Sequence, residues 1–185
     1  QYFIDTKINI LYPGIFNIIV GLVKQGYRIY AEIGVFQYDK LVSGLIDLFL
    51  IKGIEFIIID WKTNRADINY KAGYWEKGND GEFTGNFIET YKVFKEPLSH
   101  LPASVGYKYA LQLSSYAHLV ELLGLKLKAI ILCHLRREQI LDMTTNTYVD
   151  RVDFHPISYL KHDVSTMINH NYANRKLNKQ IELSV

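Results

Sequence analysis

The stretch SGLIDLFLIKGIEFIIIDWK, residues 43–62, contains the clearest strand pattern of the chain and its most informative side chains. It reads as two neighbouring apolar strands, Leu41–Leu50 and Phe56–Ile59. A short, continuous run of β-branched residues is typical of a strand that is buried on both faces of a sheet. Acidic residues are costly inside such a strand, because an isolated buried carboxylate loses its hydration. Asp47 and Asp60 therefore mark points where the sheet meets water or a partner for the charge.

Asp60 is followed two residues later by Lys62, and residues at this spacing point to the same side of an extended strand. If Asp47 faces that side from the neighbouring strand, two carboxylates and one ammonium group converge on a small volume. The sequence then predicts a metal site with a catalytic lysine beside it. The alternative is that both acids end their strands in solvent, since a D-x-K pair taken alone is a weak motif.

The length of 185 residues is enough for one domain with a sizeable core. We predict a single domain over residues 1–185, with its core at about 13–135, an insertion at about 64–103 and a C-terminal extension at 136–185. Hydrophobic residues make up 49% of the chain and charged residues 22%, which is ordinary for a soluble globular protein. The net charge of +2 is too small to indicate nucleic-acid binding by itself.

The single cysteine, Cys133, excludes an internal disulfide and a four-cysteine iron–sulfur cluster. We expect it to be a small buried hydrophobic residue. The sequence shows neither an apolar run long enough for a membrane span nor an opening signal peptide. These features favour a cytoplasmic protein without a membrane partner. His118 and His134 flank predicted core elements, and we expect them to be structural.

Hydrophobic spacing and turn residues predict a mixed α/β order that begins with a helix and three strands. An irregular segment, a long helix, a strand, an edge strand and a last helix follow. The predicted elements are a helix at about Ile15–Lys24, strands at Tyr27–Phe36, Leu41–Leu50 and Phe56–Ile59, a helix at Ser104–Leu123, strands at Leu127–Leu135 and Tyr148–Phe154, and a helix from Pro156 to about Asn169. The sheet should contain both hairpins and a crossover, with helices flanking it.

The long helix carries a polar stripe of Lys108, Gln112 and Tyr116, each four residues after the previous one. Residues at this spacing share one face of a helix. The stripe is either a hydrogen-bonding edge at the border of the core or a solvated face, and the spacing alone does not decide between them.

Gly44-x-x-Asp47, Asp60-x-Lys62 and Gln112-x-x-x-Tyr116, in this order, resemble the motifs of the PD-(D/E)xK nuclease superfamily, and most of all its RecB-type exonuclease branch. The likeness covers about Ala31 to Leu135. It implies a restriction-endonuclease-like αβββαβ core with a central mixed sheet flanked by helices, and Mg²⁺-dependent (or Mn²⁺-dependent) cleavage of DNA.

By this resemblance, Asp47 and Asp60 are metal-binding carboxylates, with the backbone carbonyl of Trp61 as a further ligand and Glu32 as an additional acid. Lys62 is the catalytic lysine. Gln112 and Tyr116 support the lysine and contact the DNA phosphate. Lys108 is not part of the motif, but it extends the same stripe and is predicted to bind nucleic acid as well. The first helix lacks the histidine that the branch often has, which leaves open whether one metal ion or two are held.

These residues also suit the chemistry of phosphodiester hydrolysis. Mg²⁺ takes oxygen ligands and keeps several waters, so carboxylates and a carbonyl suit it. A nearby lysine can stabilise the charge that develops on the phosphate. We expect a DNA nuclease, and specifically an exonuclease or end-processing enzyme of recombination or repair. A structure-specific endonuclease and a non-catalytic DNA-binding or assembly module stay open, and any helicase partner is unknown.

The irregular segment Asn64–Ala103 follows the lysine directly and interleaves aromatic residues with lysines, among them Trp75, Lys71 and Lys77. Single-stranded nucleic acid is bound by such a combination, because bases stack on the rings and phosphates meet the cations. Alternatively, the rings form a small satellite core, and the acidic residues of the segment favour this second reading.

Overall fold

The computed structural model describes residues 13–142 and 145–182. Its elements in chain order are α1 (Pro13–Lys24), β1 (Arg28–Gln37), β2 (Val42–Lys52), β3 (Glu55–Lys62), β4 (Gly73–Lys77), β5 (Phe83–Glu89), α2 (Val105–Glu121), β6 (Lys126–Asp142), β7 (Thr145–Pro156) and α3 (Lys161–Glu182). The described part is an α/β protein with three helices and two sheets, and this confirms the predicted α/β class, while the restriction-endonuclease-like core stays a prediction. None of these helices, within the described ranges, is long and apolar enough to span a membrane.

The larger sheet has five strands in the order β1-β2-β3-β6-β7. β3 lies at its centre, antiparallel to β2 and parallel to β6, and β7 pairs antiparallel with β6. The parallel pair requires a crossover, and α2 lies in the chain between β3 and β6. The predicted combination of hairpins and one crossover is confirmed.

The central position of β3 explains its sequence. Residues 56–60 are all buried, as expected for a strand with a neighbour on each edge and covered faces. On one face, Leu48 and Leu50 of β2 pack with Ile57 and Ile59 of β3 against α1 and Cys133. Asp47 is next to Leu48 in β2, so its side chain points to the opposite face of the sheet.

The chain divides into two compact units that alternate along the sequence. Unit 1 comprises Gln1–Ile33, Ile46–Arg65 and Gly124–Ile157, and unit 2 comprises Gly34–Leu45, Ala66–Leu123 and Ser158–Val185. The prediction of a single domain stays a prediction.

Unit 2 has its own apolar cluster, to which the loop before α2, α2 itself and α3 contribute Leu98, Leu111 and Val164. Ser104 caps α2, because its side chain accepts a hydrogen bond from the Tyr107 amide at 3.1 Å. The buried Ser114 hydroxyl accepts the Leu160 amide at 3.0 Å, so it fixes the chain just before α3. This serine is structural.

Two parts of the chain differ from the predicted elements. The segment 64–103 contains an antiparallel sheet of β4 and β5, where we expected irregular structure. Its alternation is interrupted by a register shift between Trp75 and Lys77 and by glycines, which hides the strand pattern. The last helix begins at Lys161 and continues to Glu182, well beyond the predicted end. Its second half is polar, so hydrophobic spacing gave no helical signal there. Residues 1–9, in which the sequence gives no strong signal for a helix or a strand, lie outside the described residues.

Candidate active site

Asp60 and Lys62 lie at the carboxyl end of β3, where the parallel register pairs them with Leu132 and His134 of β6. Lys62 Nζ is 2.5 Å from Asp60 Oδ2, and the aspartate is only 2% exposed. The two side chains share one face because they are two residues apart in a strand. An acid and a lysine are therefore paired at the edge of the core.

Asp47 joins this pair from β2. The antiparallel register matches Leu48 with Ile59, and Asp47 and Asp60 are the next residues outward on each strand. Asp47 Oδ2 accepts a hydrogen bond from the Trp61 amide at 2.9 Å. The structure thus brings Asp47, Asp60 and Lys62 together, which is the convergence that the sequence predicted.

The electrostatics of Asp60 follow from this environment. Burial raises the pKa of the Asp60 carboxyl above its ordinary value; Lys62 counteracts the rise, and the neighbouring Asp47 carboxyl adds to it. Asp60 Oδ2 is buried, and the Lys62 ammonium at 2.5 Å is its charge partner. Two neighbouring carboxylates beside this single ammonium leave negative charge that a further cation can neutralise.

Glu32 is not brought into this group. It is an exposed residue of β1 with a positive φ of 54°. Within residues 13–142 and 145–182, no three acidic, histidine or cysteine side chains are grouped closely enough to hold a metal ion. The predicted metal ligands are therefore reduced to the carboxylates of Asp47 and Asp60 with the Trp61 carbonyl, because the outward face of β1 carries Glu32 into solvent.

The residues that we expected to be structural next to this site are buried. Cys133 is 1% exposed, and burial raises the pKa of its thiol to about 12. His134 is also 1% exposed, and its Nε2 is 2.7 Å from the Asn64 carbonyl oxygen, which requires an Nε2–H donor. His134 therefore fastens the chain just after Lys62 to β6.

The helix motif lies in unit 2, where Gln112 Nε2 donates to the Tyr116 hydroxyl at 2.7 Å. The Tyr116 ring covers Gly44 of β2: a Cβ at residue 44 would be 2.1 Å from Tyr116 Cε1. Lys108 and Gln112 are exposed, and Tyr116 is half-buried. The stripe is a solvated helix face whose last member packs on a strand. A contact of Gln112 with Lys62 stays a prediction.

The predicted nucleic-acid-binding residues of the insertion each contact other side chains of the same segment. Trp75 packs edge-on against Phe87 across the β4–β5 hairpin, with ring centroids 5.2 Å apart, and its Nε1 donates to the Asp67 carbonyl at 3.2 Å. Lys71 pairs with Glu89 at 2.9 Å, and Lys77 lies 5.3 Å from the centre of the Phe83 ring. Part of the segment is therefore a small satellite core.

An open cleft of about 380 Å³, which the sequence did not predict, lies beside this hairpin. Tyr91, which is fully exposed, and Lys92 line it together with Tyr70 and Tyr107. Tyr70 packs edge-on against Tyr107 and over Gly106, where a Cβ would come within 2.8 Å of the Tyr70 ring. The glycine at the start of α2 was the signal, because it permits this close approach of an aromatic ring.

No protein-family model, curated protein or solved structure matches the chain. The candidate site therefore depends on the geometry described above and on the sequence motifs.

We predict that Asp60→Asn raises the melting temperature of the metal-free protein at about pH 7. A carboxyl whose pKa is raised on folding contributes stability that is complete below the unfolded pKa and lost as pH rises through the folded pKa. Asparagine has nearly the shape of aspartate but cannot ionise, so the substitution removes this loss of stability at high pH. The melting temperature, measured by thermal unfolding, should rise by about 2–4 °C for each kcal/mol gained in the free energy of unfolding. This rise should become smaller toward about pH 4.

The matched control is Asp39→Asn, which changes the same charge at an exposed position. It should leave the melting temperature nearly unchanged. A lower melting temperature for Asp60→Asn than for the wild type at about pH 7 would contradict the assigned environment.

Proposed function

We propose that the protein is a metal-dependent deoxyribonuclease with a restriction-endonuclease-like core. The described elements α1, β1, β2, β3, α2 and β6 follow the αβββαβ order of that core. The central β3 pairs antiparallel with β2 and parallel with β6, which is compatible with it. These features support the proposed fold, which many unrelated functions can share, so the function depends on the site.

The observation that carries the proposal is the convergence of Asp47, Asp60 and Lys62 at the end of the buried β3. Burial makes an acid pair expensive, and neither acid contributes to the apolar packing. Residues that cost stability in this manner are expected at functional sites.

The donor set fits a hard cation. Mg²⁺ binds through one or two carboxylates and keeps several waters, so two aspartates are sufficient. Asp47, Asp60 and the Trp61 carbonyl would hold it, and Mn²⁺ could replace it. When bound, the ion would supply a water of lowered pKa and neutralise charge on the phosphate. An iron–sulfur cluster is not part of the proposal, because the chain has one cysteine.

Lys62 acts from within the same group. Its ammonium can donate a hydrogen bond to a non-bridging phosphate oxygen and so stabilise the negative charge that grows during attack. It can also orient the attacking water. Its ion pair with Asp60 fixes the position of Nζ. The Trp61 amide holds the Asp47 carboxylate in one orientation.

In unit 2, Lys108, Gln112 and Tyr116 are proposed to contact the DNA backbone. Lys108 and Gln112 are exposed, which such a contact requires. Gln112 and Tyr116 are joined by a hydrogen bond, so their donors are placed as a pair. An exonuclease or end-processing activity in recombination or repair, in the cytoplasm of a bacterial or phage-infected cell, is the activity that we favour.

One observation favours a second candidate, a non-catalytic DNA-binding or assembly module on the same fold. Glu32 does not join the two aspartates, so the described residues offer a smaller acidic group than expected. A structure-specific endonuclease is the remaining alternative within the enzyme class.

Incubation with end-labelled linear and circular DNA, with and without Mg²⁺, separates these functions. We expect Mg²⁺-dependent loss of linear DNA alone. Cleavage of both forms would identify an endonuclease. Retention of DNA without cleavage, in Mg²⁺ and in Mn²⁺, would overturn the nuclease proposal in favour of the binding module.

The structure also separates two aromatic residues of the insertion. We predict that Tyr91→Ala weakens the binding of a single-stranded oligonucleotide about tenfold, because a base stacked on an aromatic ring contributes roughly 1–3 kcal/mol. Tyr91 is fully exposed, so its loss should leave the melting temperature nearly unchanged. Fluorescence anisotropy with metal withheld measures the affinity.

The matched variant is Trp75→Ala, which removes the ring packed on Phe87. It should lower the melting temperature and change the affinity of the folded protein less. If only Trp75→Ala weakens oligonucleotide binding, and its melting temperature is unchanged, then Trp75 and not Tyr91 is the residue on which a base stacks.

A further inference from the structure

A second polar cleft, of about 290 Å³, lies in unit 2 between the turn that joins β1 to β2 and one face of α3. Lys40, Leu41 and Ser43 form one wall. Asn171 and Arg175, four residues apart, project from α3 on the other side. The candidate active site uses none of these residues.

The cleft concentrates positive charge, and none of the described residues that line it carries a carboxylate. Lys40 Nζ donates to the Asn169 side-chain oxygen and lies 5.3 Å from the centre of the Tyr172 ring. Lys176, one residue after Arg175, lies 4.7 Å from the same ring. In the part of the chain that the structure describes, the two cations that line the cleft, Lys40 and Arg175, therefore have neutral partners, as does the neighbouring Lys176.

Other lysines of unit 2 show that the chain pairs cations with acids elsewhere. Lys71 is 2.9 Å from Glu89, and Lys161 is 2.8 Å from Glu121. Exposed pairs of this kind stabilise a protein little, but they neutralise local charge. The cleft lacks such neutralisation, so an anion that enters it meets uncompensated cations.

The backbone holds the cleft in a defined shape. Leu41 has a positive φ of 53°, and its amide donates to the Tyr38 carbonyl at 3.2 Å. The Leu41 carbonyl accepts a hydrogen bond from Arg175 Nη1 at 3.3 Å. This contact therefore anchors the Arg175 guanidinium at one nitrogen. A non-glycine residue at positive φ is uncommon and is retained where the surrounding structure requires it.

The available donors fit an oxyanion with several oxygens. A guanidinium presents N–H groups in a fixed fork that matches phosphate, an ammonium adds a point charge, and the Ser43 hydroxyl and Asn171 amide add neutral donors. Ser115 contributes less, because its hydroxyl already donates to the Leu111 carbonyl at 2.7 Å.

We propose that this cleft binds a phosphate group, and that the phosphate is a backbone phosphodiester of nucleic acid. The choice of nucleic acid depends on the proposed function. Phosphate contacts position a nucleic acid without reading its sequence, so binding through this cleft is independent of sequence.

The test measures oligonucleotide binding over a series of salt concentrations, with divalent cations withheld, for the wild type, Lys40→Gln and Arg175→Gln. Each cleft variant should reduce the slope of log affinity against log salt by about 0.7–0.9, the value for one phosphate contact. The loss of affinity should be uniform across sequences. Lys24→Gln, an equal change of charge at an exposed residue of α1, is the control and should keep the wild-type slope.

Arg175→Lys keeps the charge without the fork, so it should retain the slope while binding more weakly. This variant and circular dichroism separate loss of the contact from loss of folding. Titration with inorganic phosphate and pyrophosphate gives the second arm. If the cleft variants weaken only these small ions and leave the slope unchanged, the phosphate site stands and the nucleic-acid source is overturned.

If neither the slope nor the binding of small phosphates changes in the cleft variants, the proposal is overturned. Because divalent cations are withheld, the outcome is separate from that of the cleavage assay. A protein that binds DNA through Lys40 and Arg175 but never cleaves it would support the cleft and refute the nuclease.

Discussion

Asp60→Ala is expected to lower the single-turnover rate of DNA cleavage in Mg²⁺ by about a hundredfold or more, since a bound metal ion supplies several kcal/mol of transition-state stabilisation. Asp60→Ala combined with Lys62→Ala should lose a similar amount. The two side chains form one ion pair on adjacent positions of one strand face, and residues that act as a unit give non-additive losses.

DNA binding should survive both changes, because phosphate contacts elsewhere supply most of the affinity. The matched control is Asp39→Ala, an exposed aspartate that should cleave at the wild-type rate. Near-full Mg²⁺-dependent cleavage by Asp60→Ala would show that the site is misplaced. Fully additive losses would show that Asp60 and Lys62 act separately.

Gly44→Ala should destabilise the protein by about 1–3 kcal/mol, the usual cost of inserting a methyl group into a packed contact. The new Cβ would meet the Tyr116 ring at 2.1 Å, so the ring or the strand must move. A displaced Tyr116 also loses its hydrogen bond with Gln112. Chemical denaturation measures the stability, and the cleavage assay reports whether the helix motif still functions.

A double-mutant cycle identifies the cause. Tyr116→Ala removes the ring, so Gly44→Ala should cost much less in that background, and the coupling free energy should be of the order of 1 kcal/mol. Gly34→Ala is the matched control, because a Cβ there meets nothing within 4 Å. Equal costs of Gly44→Ala with and without the tyrosine would mean that the ring does not occupy this position.

The central part of the fold was predictable because one physical constraint determines it. The short β-branched run at 56–59 is typical of a strand buried on both faces, and such a strand needs a neighbour on each edge. Spacing then placed Asp60 and Lys62 on one face, and the structure pairs them. The position of Asp47 depended on the register of β2 against β3, which sequence alone leaves open by one residue.

Other features could not be predicted, because the contacts that determine them are distant in the sequence. Glu32 lies on the face of β1 opposite to the half-buried Ile29 and Ile33, as expected. That face is exposed, so Glu32 lies in solvent and not at the acid pair. The second half of α3 is polar, and its helix gave no hydrophobic periodicity. The cleft beside Lys40 depends on the turn at Leu41 and on Arg175, which lie 134 residues apart.

The candidate site is also where the chain departs from what stability favours. A buried aspartate with a raised pKa next to another carboxylate weakens the folded state at neutral pH. Natural proteins retain such groups where function requires them, and substitution commonly increases stability while activity is lost. A higher melting temperature for Asp60→Asn together with the loss of cleavage expected for Asp60→Ala would show this relation at one residue.

Calorimetric titration with Mg²⁺ and Mn²⁺ shows directly whether Asp47 and Asp60 hold a divalent cation beside Lys62. The wild type should bind the ion, and Asp47→Asn and Asp60→Asn should each weaken binding by at least about tenfold. Glu32→Gln should bind as the wild type does, since Glu32 is exposed and outside the acid pair. Wild-type affinity in both aspartate variants, or no binding by the wild type, would contradict the account.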